Sequence, residues 1–244
     1  MAAGPDPATE TATPFHRTDA AIVRRARDAS LELLVGALLI VVTAAGAAYL
    51  SWRPETTPLD RWLLDVVGGS DSDNPAFNDV THLRYPVAVV VAAAVIALAV
   101  IRRDRVRALM CLIGPPLALV TSELAVKPLT GRLLGGQLSY PSGSTVGAAA
   151  ISAAAVLATS PRWRVVTVTV AASYSLWMSL AVVAIGWHLP TDALAGVAYG
   201  VGVVVFLDGI GGKVTAALGP RSGRSVIRWS VATAGRGPAR TPPR

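Results

Sequence analysis

The chain has 244 residues, of which 52% are hydrophobic and only 15% charged, and its mean hydropathy is +0.52. Soluble domains carry about a quarter of their residues charged, and apolar runs of about 20 residues recur here, which excludes an ordinary soluble domain and indicates a helical membrane protein. The short alternating segments of a β-barrel are missing, the single cysteine, Cys111, excludes an intrachain disulfide, and the net charge of +7 is placed as membrane topology requires rather than as a nucleic-acid surface.

Residues 1–20 are rich in Ala, Thr and Pro and lack periodicity, so residues 1–29 are expected to form a disordered tail. Arg24, Arg25 and Arg27 precede the first apolar run, Leu31 to Leu50, which is long enough to span. The Ala44 to Ala48 stretch keeps a signal sequence as an alternative. A polar loop follows over 51–84, within which Leu59, Trp62, Leu63 and Val66 at helical spacing predict a short interfacial helix, Pro58 to Val67. His82, at the end of this loop, reads as a surface histidine.

The second span is read as Tyr85 to Ile101 and the third as Val106 to Val126, with a kink expected at Pro115-Pro116. A Gly- and Pro-containing loop occupies 127–142. The fourth span is the short, Ala-rich Ser144 to Thr159, the fifth Val165 to Ile185, and the sixth Asp192 to about Ile210. Gly196 and Gly200 in the sixth suit close helix packing. Residues 213–244 form a basic tail. The expected fold is therefore all-α, a polytopic bundle of six transmembrane helices over 30–212.

Seventeen of the twenty-two Lys and Arg fall in the N-terminal segment, the 102–107 loop, the 162–164 loop and the C-terminal tail. The positive-inside rule makes those segments, and both termini, cytoplasmic. Three polar clusters then share the extracytoplasmic face. The first is Lys127-Pro-Leu-Thr-Gly-Arg132, two cations suited to phosphate; the plainer reading is snorkelling side chains. Glu123, one turn earlier, is placed to pair with Lys127. The second is Tyr140-Pro-Ser142-Gly143-Ser144-Thr145, a capped helix start whose amides would receive an anion; the plainer reading is an ordinary N-cap. The third is His188 with Asp192, a potential nucleophile and its orienting carboxylate. Its plainer reading is an interfacial histidine and a capping aspartate.

In this order and on this face, the three clusters resemble the signatures of the type 2 phosphatidic acid phosphatase family. Those signatures are Lys, six residues, Arg-Pro; then Pro-Ser-Gly-His; then Ser-Arg, five residues, His, three residues, Asp. The resemblance covers about residues 80–215. It implies metal-independent, cofactor-free phosphoester hydrolysis through a phosphohistidine. His188 is then the nucleophile and Asp192 its partner. Lys127, Ser142, Gly143 and Ser144 line the phosphate site, with Arg132 as a displaced substitute cation. The first-signature Arg-Pro falls on Leu134 and Gly135, the second-signature histidine on Ser144, and the third-signature Ser-Arg on Ala181 and Val182.

The functional expectation is a membrane phosphatase acting on a lipid phosphate or isoprenoid diphosphate at the outer face of the cell membrane, with no nucleic-acid partner. The alternative is a catalytically silent relative that binds a phospholipid or a membrane partner protein. A small transporter is the weaker third reading, because the sequence offers no mid-span charge of the kind transport uses.

Overall fold

Among the described residues four α-helices begin on proline, at the first helical position, where a missing N–H costs no hydrogen bond. The computed structural model describes residues 14–53, 55–67 and 85–218. The expectations for residues 1–13, for His82 and for the tail beyond Leu218 lie outside the described residues. Within them run seven α-helices: α1 Pro14–Trp52, α2 Pro58–Val67, α3 Pro86–Val100, α4 Arg105–Thr121, α5 Gly143–Ala158, α6 Arg164–Ala184 and α7 Pro190–Leu218. Helix α2 has the bounds read from its periodicity.

Four segments are long and apolar enough to cross a membrane: Arg27–Trp52, Arg105–Thr130, Pro161–Ala184 and Pro190–Leu218. Helices α3 and α5 are apolar but shorter. Exposed large apolar side chains mark α1 (Leu34, Leu38, Val41), α3 (Val87, Val91, Val95) and α6 (Val166, Val170), a surface compatible with lipid.

Three departures from the sequence reading have simple causes. Helix α1 starts at Pro14 rather than near Leu31, because residues 15–35 contain neither Gly nor Pro and are rich in Ala, Arg and Leu. Helix α4 runs through Pro115 and Pro116 and continues by a π-helical turn, Ser122–Val126, and a last α-turn, Lys127–Thr130. The 131–142 loop is not irregular throughout: Leu133–Leu134 pairs antiparallel with Gln137–Leu138 around Gly135 and Gly136, whose φ of 57° and 80° suit a tight hairpin turn.

Helix α5 is the central pillar. It touches α3, α4, α6 and α7, and every residue from Ser142 to Ala150 is buried. Small side chains let those neighbours close in without a hydrophobic driving force between helices. The approach is tightest at α7, where a Cβ on Gly200 would meet the Val146 carbonyl oxygen, with the Ala150 nitrogen 3.0 Å away. Helix α7 also lies along α1, its most extensive neighbour.

Glu32 and Asp208 lie within two of the segments that are long and apolar enough to cross a membrane. Asp208 is fully buried and takes a bidentate pair from Arg107, at 3.1 Å to Nε and 2.7 Å to Nη2. Arg25 approaches Asp208 at 3.7 Å, and Glu32 lies 3.6 Å from Arg107. This tie joins α1, α4 and α7 at the end opposite the polar clusters. Asp192 and Asp208 are 16 residues apart on α7, about 24 Å of helix.

Gly200→Ala should lower stability by about 1–3 kcal/mol through overpacking against α5. Thermal unfolding in detergent reads this, and an unchanged Tm would deny the close approach.

Candidate functional site

Two helices at the polar end begin in the same way. In Thr57-Pro58-Leu59-Asp60 the threonine precedes α2 and the aspartate is its third residue. Thr57 N and Oγ1 donate to Asp60 Oδ2 at 3.0 and 2.9 Å, and Asp60 N donates back to Thr57 Oγ1 at 3.0 Å. In Leu189-Pro190-Thr191-Asp192, at the start of α7, Leu189 N donates to Asp192 Oδ2 at 3.1 Å. The first is a reciprocal capping box; the second makes only its carboxylate half, because Leu189 has no side-chain acceptor. Asp60 also reaches across to α7: its Oδ1 accepts from Thr191 N at 2.8 Å.

Arg132 joins the two caps. Its Nη1 donates to Asp192 Oδ1 at 2.7 Å and to Thr191 Oγ1 at 2.8 Å. Its Nη2 donates to Asp60 Oδ2 at 2.8 Å and to the Glu55 carbonyl at 3.1 Å. All three ionic side chains are fully buried. The hairpin delivers the arginine: Gly131 turns the chain at φ 66°, and Ser139 N donates to the Arg132 carbonyl at 2.9 Å. Burial pushes the Asp60 carboxyl up, but hydrogen bonds from Arg132, Thr191 and Thr57 outweigh it and hold the carboxyl below its ordinary value.

His188 stands on the turn between α6 and α7. Gly186, at φ 73°, reverses the chain, and the Trp187 and His188 amides both donate to the Val182 carbonyl, at 3.0 and 3.1 Å. Val182, where the resemblance would want an arginine, is fully buried and holds this turn through its backbone. The His188 Nδ1 lies 3.8 Å from Asp192 Oδ2, beyond hydrogen-bond reach, and is buried without a hydrogen-bond partner.

The second cluster meets the third through the backbone, because Ser142 N donates to the Asp192 carbonyl at 2.9 Å. Ser142 caps α5: its Oγ accepts from Thr145 Oγ1 at 3.1 Å and from Thr145 N at 3.5 Å. Gly143 and Ser144 open the helix, where the first amides have no partner inside it. Gly196 of α7 lies against this start, with the Ser142 carbonyl 2.8 Å from where a Cβ would sit. Lys127 pairs with Glu123 at 2.8 Å, the pairing their spacing suggested. The Glu123 carboxylate lies directly against Gly143, at the place where the glycine leaves room.

Of the sequence-read residues, Asp192, Arg132 and Ser142 are bonded to one another's segments, Lys127 reaches Gly143 beside Glu123, and His188 faces Asp192. Asp60, Thr57 and Thr191 were missed. Their signal was the Pro-x-Asp start repeated at 58–60 and 190–192. Arg132 and Lys127 face three carboxylates, Asp60, Asp192 and Glu123, so these five groups together carry one net negative charge. Tyr140 closes one flank: its hydroxyl donates to the Thr43 carbonyl at 2.9 Å, and burial followed by the Asp192 charge pushes it up to about 12, so it stays neutral. Comparisons with protein-family models, with curated proteins and with solved structures found no match.

Arg132→Ala strands two buried carboxylates and should cost about 3–5 kcal/mol, read as a large fall in Tm at neutral pH. Asp60 has its carboxyl held below the ordinary 3.8, so the folded state binds that proton less readily than the unfolded state. The stability it contributes is complete above about pH 4 and is lost as pH falls through the folded value. Stability measured from pH 7 to pH 3 should fall more steeply in the wild type than in Asp60→Asn; parallel curves would contradict the pairing.

Proposed function

We propose that this protein is an integral membrane phosphohydrolase of the type 2 phosphatidic acid phosphatase kind, acting on lipid phosphates, preferentially diphosphates, at the extracytoplasmic face. In this reading α3 and α5 complete six spans and both termini are cytoplasmic. The observation that carries it is the His188 ring held 3.8 Å from a fully buried Asp192, whose carbonyl accepts from Ser142 N at the N-terminus of α5, a helix start suited to an anion. An apolar groove of about 570 Å³ between α1, α2 and α7, lined by Leu50, Leu59 and Leu194 and bordered by Thr191 and Tyr140, suits the hydrocarbon chain of such a substrate.

His188 Nε2 attacks the terminal phosphorus, and the P–O bond to the leaving group breaks as the P–N bond forms. Asp192 stabilises the resulting ring cation through Oδ2. Lys127 and the Gly143 and Ser144 amides hold the phosphoryl oxygens once Glu123 withdraws. Water then attacks the phosphohistidine, releasing inorganic phosphate and restoring neutral His188. With serine at 144, this site has no strong proton donor for an alkoxide. A lipid monophosphate leaving from a diphosphate departs as a stable anion and needs none.

A second reading has its own observation. The Arg132 fork is taken up by Asp60 and Asp192, and Glu123 lies across Gly143, an arrangement that suits a catalytically silent protein binding a zwitterionic phospholipid headgroup.

Purified protein should release phosphate from lipid diphosphates with kcat/KM about 10²–10⁴ above that for matched monophosphates, and His188→Ala should abolish release. Ser144→His should raise monoester turnover more than diphosphate turnover. No release from either class, with His188→Ala indistinguishable from wild type, favours the binding protein.

A further inference from the structure

We propose that Asp60 of α2 is a positioning residue for the His188–Asp192 pair, setting through Arg132 how much negative charge Asp192 presents to the imidazole. This rests on the phosphohydrolase reading of the site, but its physical basis is the shared guanidinium. Arg132 sits 2.7 Å from Asp192 Oδ1. Alone, that cation would draw the carboxylate's field away from His188 and disfavour the ring cation. Asp60, 2.8 Å from the other arm, offsets it, so the trio carries one net negative charge beside His188. Asp60 acts by a second route as well. By accepting from Thr191 N it fixes the first turn of α7, and with it the direction in which Asp192 Oδ2 points at the ring.

The other charges around the ring leave this balance to the trio. Lys127 and Glu123 of α4 are paired with each other at 2.8 Å. The Tyr140 hydroxyl is neutral throughout the histidine range. Arg53, Glu55 and Arg61, next to or on α2, are exposed and screened by solvent. A role confined to tying α2 onto α7 would affect folding and leave the ionisation of His188 where it is.

The test follows His188 directly. The chain has three histidines, so the ring signals of isotope-labelled full-length protein in detergent can be assigned with His188→Ala. Asp60→Asn should move the His188 titration midpoint down by about half a pH unit or more. Asp60→Asn combined with Arg132→Gln should bring it back to the wild-type value or above, since only Asp192 then acts on the ring. If the protein turns over, the acidic limb of its kcat/KM profile should shift in the same way. An unchanged midpoint in the single variant overturns the assignment. If that variant does not fold, the double variant decides, a midpoint below wild type being the overturning result. The titration needs no turnover: shifts as expected with no phosphate release from any lipid phosphate would sink the phosphohydrolase reading and leave the role of Asp60 toward His188 standing.

Discussion

The polar end of this molecule depends on one buried guanidinium held between two helix-capping carboxylates. Each Asp first closes its own helix start, and Arg132 then joins the starts to each other and to the hairpin. Two carboxylates left together in a buried site would repel; an arginine between them offsets both because its fork supplies separate donors to each. A lysine offers a single point charge and does not bridge in the same geometry. Helix α2, which by itself is ten residues of amphipathic helix, is thereby fixed to the start of α7.

The same economy governs the start of α5. Shortness and small residues let four helices surround it, and its N-terminus is consequently buried. Buried helix ends require partners, and Ser142 supplies one through its side chain while its own amide is satisfied by Asp192. The π-helical turn at the end of α4 widens the helix beside this point, and Glu123 and Lys127 emerge from it as a pair over Gly143. Widened turns of this kind occur often at functional sites. Here it brings a cation and a carboxylate to the helix start together.

At the other end the Arg107–Asp208 pair, with Arg25 and Glu32 nearby, ties α1, α4 and α7. The two ionic knots stand 16 residues apart on α7, one at its first turn and the other ten residues before its last residue, a separation somewhat less than the roughly 30 Å hydrocarbon core of a bilayer. Between them glycine, alanine and small branched side chains bring the backbones close, and one polar bond, from the Tyr199 hydroxyl to Thr121 Oγ1 at 2.9 Å, joins α7 to α4.

Composition and periodicity determined by themselves that the chain is a set of apolar helices, where α2 begins and ends, and that Lys127, the Ser142 turn and the His188–Asp192 pair belong to one end of the molecule. These are local properties: apolar run length, the 3.6-residue repeat and helix-start chemistry are written in consecutive residues. Even Asp192 as a capping residue was legible, because a capping box closes over three positions. What only the tertiary structure decided is which distant charges meet. Asp60 and Arg132 are separated by 72 residues and Arg107 and Asp208 by 101, and no local pattern selects such partners. The physical reason is that a buried charge is stable only with its counter-charge in place, and that place is created by helix packing. The sequence reading therefore took Arg132 as a cation for phosphate, whereas packing gave it two carboxylates first.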